Sequence, residues 1–277
     1  MNNAAVIVLY NPDKELLYEN VKAIIEQVDF LIFVDNSPFV SKLDFMDQYG
    51  SKKYTYIFMD GNKGIGEALN TAVNVCLEKE IPWLLTLDQD SICPNNLISS
   101  YQKYVDMDNI GIICCNKNYN GHGADRYEKE IEVVNTCITS ASYINTVACR
   151  DIGLFDEKMF IDYVDFEYCY RLLENGYKII QVNTVTLVHR LGDLRIINLF
   201  GFAIHVENHN SFRKYYIARN IIYTWNKHPV LFNRKQMISK EMKLIIKVLL
   251  FEKQKKNKLR AICKGIRDAL LIIEGGR

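Results

Sequence analysis

Six stretches of the chain pair residue types with a spacing that could support chemistry. The first is Leu84-Leu85-Thr86-Leu87-Asp88-Gln89-Asp90-Ser91, an apolar run that delivers two carboxylates, two positions apart, into a turn. Hard divalent cations such as Mg²⁺ or Mn²⁺ take oxygen ligands and bridge protein carboxylates to phosphates. The same pattern also serves as an Asx turn capping the next helix. The second stretch, Asp60–Asn70 (DGNKGIGEALN), sets Asn62, Lys63 and Gly64 at a helix entrance. Backbone N–H groups and an ammonium could approach a phosphate there, or the glycines could serve turn geometry alone. It is neither a Walker A loop nor G-x-G-x-x-G. Third, Asp35 closes the apolar run Phe30–Val34. It could accept a hydrogen bond from a base or a ribose hydroxyl, or cap a turn.

The fourth stretch, Phe160–Arg171 (FIDYVDFEYCYR), places Asp162, Asp165 and Glu167 among aromatics. A helix starting near Asp165 would hold that carboxylate at its orphan N–H groups, still facing a cleft. It could then act as a general base on a hydroxyl; helix capping and surface charge is the other reading. Fifth, His189 follows the apolar run Thr186–Val188. It could complete a metal site or bond a phosphate, or be structural. Sixth is His209–Asn220 (HNSFRKYYIARN). Arg213, Tyr216 and Asn220 share one helical face, with Tyr215 and Arg219 on the next. Such a face holds a diphosphate or a sugar, or is a solvated amphipathic helix.

The elements that must position these residues are legible as hydrophobic patterns. Ala4–Tyr10, Phe30–Val34, Tyr54–Met59, Trp83–Leu87 and Ile110–Cys115 read as strands, Glu15–Gln27 and Ile65–Glu78 as helices. Alternating strands and helices predict a mostly parallel sheet covered on both faces. The polar clusters sit just after the strands, at the carboxyl edge where such sheets bind ligands.

At 277 residues the chain has room for one large domain, or one domain and an appendage. Charged residues are 24% and the formal net charge is +1, so the whole is no generic polyanion binder and no nucleic-acid partner is expected. The charge is unevenly spread: residues 234–277 hold 13 Lys+Arg and 4 Asp+Glu. Met242–Phe251 (MKLIIKVLLF) carries a dense apolar face with Lys243 and Lys247, and seven further basic residues follow by Arg267. This fits a surface-lying helix drawn to anionic lipid, or an appendage packed on protein. The 8 cysteines form no C-x-x-C and no zinc-ligand spacing. With neither a signal-peptide pattern nor an apolar run of ~20 residues, the expectation is a cytoplasmic protein with reduced thiols.

Taken in order, these motifs resemble family 2 glycosyltransferases. The nearest subgroup is the bacterial rhamnosyltransferase type of surface polysaccharide synthesis. Leu87–Ser91 matches its L-D-Q-D-S, Asp162–Arg171 its D-Y-V-D-x-E-x-x-x-R, and His209–Asn220 its H-x-x-x-R-x-Y-Y-x-x-R-N. The resemblance covers about residues 4–225. It implies an α/β GT-A fold, Rossmann-like, with a mostly parallel central sheet. Residues 1–226 would be the catalytic domain and 227–277 a basic helical extension.

The resemblance also implies roles. Tyr10, Asn11 and Asp35 would contact the nucleoside, and Asn62, Lys63 and Gly64 the base and diphosphate. Asp88, Gln89 and Asp90 would hold the sugar diphosphate, with Asp88, Asp90 and His189 on Mg²⁺ or Mn²⁺. Arg213, Tyr216 and Arg219 would cover the phosphates. Asp162, Tyr163 and Glu167 would meet the acceptor, and Asp165 would be the catalytic base. Val164 stands where the family's acidic pair usually has Glu, which leaves open which acid deprotonates the acceptor. The implied reaction is inverting transfer of a sugar, dTDP-L-rhamnose before a UDP-hexose as donor, to a lipid-linked or oligosaccharide hydroxyl. A nucleotidyltransferase and a noncatalytic sugar-nucleotide-binding protein are the alternatives. Oligomeric state, a homodimer included, is open, as is attachment of 234–277 to the inner face of the plasma membrane.

Overall fold

The structure, a computed structural model, describes residues 2–119, 129–189, 195–199 and 202–275. The chain opens with β1 (Asn3–Leu9), α1 (Lys14–Ile24) and β2 (Phe30–Asp35). All six residues of β2 are buried, as a strand covered on both faces requires. Asp13 starts α1, its carboxylate accepting the N–H groups of Glu15 and Leu16. Next come β3 (Tyr54–Phe58), α2 (Ile65–Glu78), β4 (Trp83–Asp88), α3 (Leu97–Gln102) and β5 (Ile110–Tyr119). They lead to β6 (Ile131–Val134), β7 (Ser142–Asn145), α4 (Thr146–Ile152), α5 (Val164–Glu174) and β8 (Lys178–His189). A hairpin of β9 (Arg195–Leu199) and β10 (Phe202–Val206) precedes three helices, α6 (Ser211–Lys227), α7 (Arg234–Phe251) and α8 (Lys255–Gly275).

The main sheet runs β3-β2-β1-β4-β7-β5-β8-β6. Strands β1 to β4 are mutually parallel, and β5 is parallel to β8. β7 runs antiparallel between β4 and β5, and β6 antiparallel at the edge. Side chains alternate between the faces with period two. Ala5, Ile7 and Leu9 meet Leu17, Val21 and Ile24 of α1 on one face. Ala4 and Val6 pack toward Leu69, Ala72 and Val73 of α2 and Tyr168 and Leu172 of α5 on the other. Each large apolar side chain so buried contributes roughly 1.5–3 kcal/mol.

The extension is packed on protein. α8 crosses α6 so closely that a Cβ at Gly265 would lie 2.3 Å from the Tyr215 carbonyl oxygen. Ala218, Leu244, Val248 and Ile262 form the core of this three-helix unit. Buried Glu252 joins its helices, accepting from Lys214 at 2.6 Å and Lys258 at 2.8 Å. Among the described residues, no helix is long and apolar enough to cross a membrane.

Candidate active site

Register brings the acidic motifs to one sheet edge. Leu9 at the end of β1 lies beside Asp35 of β2, and Val8 beside Asp88 of β4. The Asp88 carbonyl accepts from the Asn20 side chain at 2.7 Å. Above this edge opens a cleft of about 720 Å³. Its sheet side presents Asp88, Thr139 and Ser140, its base Asp162 to Phe166, and its far side Arg213 and Lys214 of α6 with Lys240, Lys243 and Lys247 of α7.

Asp162 and Asp165 reach the cleft from a turn of unusual backbone. Phe160, Asp162 and Tyr163 all have positive φ, at 62°, 62° and 67°. Such conformations cost of order 1–3 kcal/mol each and persist only where neighbours impose them. Here α6 imposes them. The buried Asn220 amide donates to the carbonyls of Met159, Ile161 and Asp162 at 2.9, 2.9 and 2.8 Å. Arg219 donates to the carbonyls of Lys158 and Met159, and Tyr216 stacks on Phe160 with centroids 5.1 Å apart. From the other side, the N–H of Ile65 donates to the Phe160 carbonyl at 2.7 Å. A Cβ on Gly64, whose φ is +91°, would fall 2.7 Å from that same oxygen.

Asp165 stands in the first turn of α5, one oxygen accepting the Phe166 N–H at 2.9 Å. It keeps partial access to the cleft. Crowding by protein is nonetheless close, and burial lifts its carboxyl to about 7, with the Cys137 thiol and Asp162 pushing the same way. A carboxyl that titrates near neutrality suits a general base. Asp162 is paired instead: Arg213 grips both its oxygens and also contacts Nδ1 of His209, whose Nε2 lies 2.6 Å from Glu207.

The other expected site residues are placed as follows. Gln89 brackets the Tyr10 peptide, accepting its N–H at 2.8 Å and donating to its carbonyl at 3.2 Å, which leaves the Tyr10 ring half exposed. The Asn11 N–H donates to Ser37. Asp35 is 0% exposed. Burial alone would raise its carboxyl, but hydrogen bonds from Ser37, Tyr56 and Ser41 hold it below the usual range. Its oxygens therefore brace the loop after β2 rather than face the cleft. Asn62 and Lys63 are exposed, their loop pinned by Asn36, which accepts the Lys63 N–H at 2.8 Å and donates to the Gly64 carbonyl.

Several residues lie apart from where the resemblance sets them. Asp90 lines a neighbouring hollow of about 340 Å³ with Ile92, Thr186 and Val188, beside the one that Asp88 and Asp165 share. Glu167, implied at the acceptor, points into the protein. Burial would raise it, but His228, Arg171 and Lys227 bring it down to about 2, with Lys227 at 2.6 Å and Arg171 at 2.9 Å. Tyr216 and Arg219 hold the turn of residues 158–162 by the contacts above. The side chain of His189 lies outside the described residues.

As for a metal, no group of three His, Cys, Asp or Glu converges among the described residues. A Mg²⁺ or Mn²⁺ site of one or two carboxylates completed by substrate phosphates is consistent with Asp88 at the strand end. Sequence reasoning missed Asn36, and missed the lysines of α7 as cleft residues. Their i, i+3, i+7 spacing is visible in the sequence, but what that face meets is not.

Comparison with known proteins places this geometry. The model of glycosyl transferase family 2 matches residues 4–163. The dTDP-rhamnosyl transferase RfbF of Shigella flexneri is 28% identical over 293 aligned positions, covering 99% of this chain and 96% of that protein. Among solved structures, residues 1–349 of S. aureus TarS in complex with UDP-GlcNAc align with a TM-score of 0.63 at 13% identity, over 99% of this chain and 83% of that one. GalNAc-T7 with UDP, GalNAc and Mn²⁺ aligns with a TM-score of 0.66 at 13% identity. That alignment covers 98% of this chain, which spans 56% of the GalNAc-T7 chain. At such identity the structures speak for the fold, the expected GT-A arrangement with a C-terminal helical part. The family match extends over more than half of the chain and ends within the acidic turn, so the protein belongs to glycosyl transferase family 2 and is a glycosyltransferase.

Proposed function

We propose that the protein transfers a sugar, with inversion, from a nucleotide-sugar donor to an acceptor hydroxyl in the cleft between the sheet edge and α7. The donor we favour is dTDP-L-rhamnose, on the strength of the near full-length likeness to a dTDP-rhamnosyl transferase; a UDP-hexose is second. The single observation that carries the reading is Asp165, set in the first turn of α5 just after the strained turn, open to a cleft shared with Asp88 and lifted to about 7. The acceptor oxygen attacks C1 of the sugar, Asp165 takes the hydroxyl proton, and the bond from C1 to the diphosphate oxygen breaks. The nucleoside diphosphate leaves with that electron pair. One displacement inverts the anomeric centre. Mg²⁺ or Mn²⁺, held by Asp88 with Asp90 or His189 assisting, would supply electrophilic stabilisation of the diphosphate.

Arg213 is poised to orient Asp162 toward the acceptor. Residues 1–226 act in this reading as the catalytic domain, and 227–277 as an extension that walls the cleft. A cytoplasmic site of action, with an acceptor presented at the membrane face, accords with the basic extension. The test is release of nucleoside diphosphate from a panel of nucleotide sugars with Mg²⁺ or Mn²⁺. We expect dTDP-L-rhamnose to be consumed, and chelation to stop it. Consumption of no sugar nucleotide in the panel, with or without acceptor, would contradict the reading.

A further inference from the structure

Three stripes run along α7. Glu241, Leu244 and Val248 are buried. Lys240, Lys243 and Lys247 recur at i, i+3 and i+7 and line the cleft opposite Asp88 and Asp165. Met242, Ile246, Leu249 and Leu250 are exposed. At about 100° per residue, this third stripe borders the lysines on the side away from the buried one. A cationic groove wall is thus joined, on one helix, to an apolar strip left exposed among the described residues.

The other cations of the cleft are already answered. Arg213 is paired with Asp162, and Lys214 with Glu252. Among the described residues Lys240 and Lys243 form no ion pair; Lys240 instead lies 5.5 to 5.9 Å over the rings of Phe166, Tyr163 and Phe232. Ammonium groups held in this way, facing a cleft, are suited to phosphate oxygens. The nucleotide sugar is expected against the carboxyl edge of the sheet, by Asp88. The lysines stand on the opposite wall, where the second substrate must enter to reach Asp165.

We infer that α7 is the acceptor-recognition element, and that the acceptor is amphiphilic. Lys240, Lys243 and Lys247 take its phosphate or diphosphate, and Met242, Ile246 and Leu249 take its apolar chain. This rests on the glycosyl-transfer reading of the same cleft. The stripe order accounts for the polarity of the acceptor: sugar in the cleft, phosphate at its lip, hydrocarbon outside.

The test is a calorimetric titration of the full chain with farnesyl diphosphate, farnesol, inorganic pyrophosphate and dTDP, in nonionic detergent. It compares the wild type with K240Q/K243Q/K247Q and with M242Q/I246Q/L249Q, each first checked for an unchanged melting temperature and circular dichroism. All six substituted positions are at the surface of one helix, so folding is preserved. The wild type should bind farnesyl diphosphate at least tenfold (~1.4 kcal/mol) more tightly than farnesol or pyrophosphate. The lysine variant should lose about tenfold for farnesyl diphosphate and stay within about twofold for dTDP. The apolar variant should lose the preference for farnesyl diphosphate over pyrophosphate. Equal binding by all three proteins overturns the inference. So does a parallel loss of dTDP binding in the lysine variant, which would give these residues to the donor. Failure of the glycosyl-transfer reading shows separately, as absence of sugar-nucleotide consumption in the donor panel.

Discussion

At the scale of single residues, the decisive contrast is between acids of the same motif. Asp165 and Glu167 are two positions apart, yet burial lifts one to about 7 while His228, Arg171 and Lys227 draw the other to about 2. Helical geometry separates them: one faces the cleft, the other α6. The sequence showed the acids and the helix start. It did not show that Lys227 and His228 would join Arg171 of the same helix on Glu167, or that Tyr56 would join Ser37 and Ser41 on Asp35, because Lys227, His228 and Tyr56 come from distant segments. A pH prediction follows from Asp165. The base works only when ionised, and burial favours its neutral form. Activity should therefore rise with pH through a midpoint near 7, read as the acid limb of kcat/KM. An acid limb near the ordinary aspartate value, about 4, would show that Asp165 is not the titrating base.

At the scale of elements, the runs that became β1, β2, α2 and β4 were legible because each is continuously apolar or cleanly periodic. β6 (IEVV) and β7 (SYIN) were not, being four residues long and without an apolar run of their own. The antiparallel entry of β7 between β4 and β5 is fixed by tertiary pairing, with Thr86 of β4 donating to the Ser142 carbonyl at 3.1 Å. α7 has a signature of a different kind. Glu241 is 7% exposed, both its oxygens lack a partner among the described residues, and burial raises it to about 8. A carboxyl raised above its unfolded value binds its proton more tightly in the folded state. Stability must then fall as pH rises from about 4.5 toward 8, by an amount of order a few kcal/mol for a shift this large. Glu241→Gln removes that dependence. Its melting temperature relative to wild type should be higher at pH 8 than at pH 5, in calorimetric scans at both. An offset that is the same at the two pH values would mean that Glu241 is not held protonated by its burial.

At the scale of the whole molecule, the chain joins a sheet edge that presents acids to a helical unit that presents bases. The composition shift after residue 227 announced the second unit and left open whether it faces a membrane or packs on protein. Packing of α7 against α6 and α8 through Leu244 and Val248 brings its lysines to the cleft, a relation between distant segments that no local pattern encodes. A membrane role can still belong to α8, where Lys256, Arg260, Lys264 and Arg267 line one shallow surface with Leu259. Basic residues near an anionic bilayer contribute about 1 kcal/mol each and are screened by salt. Flotation with phosphatidylglycerol vesicles should therefore be salt-sensitive and be lost in K256Q/R260Q/K264Q/R267Q; equal flotation of variant and wild type would assign this face elsewhere.

The whole arrangement exists, in this account, to bring one ionised carboxylate to an acceptor hydroxyl. The direct measurement is turnover and donor affinity of Asp165→Asn, side by side. The amide keeps the size of the side chain and cannot accept the proton. Transfer should fall by about 10²–10⁴-fold while the Kd for the nucleotide sugar stays within about twofold of wild type. Wild-type turnover in that variant would contradict the account.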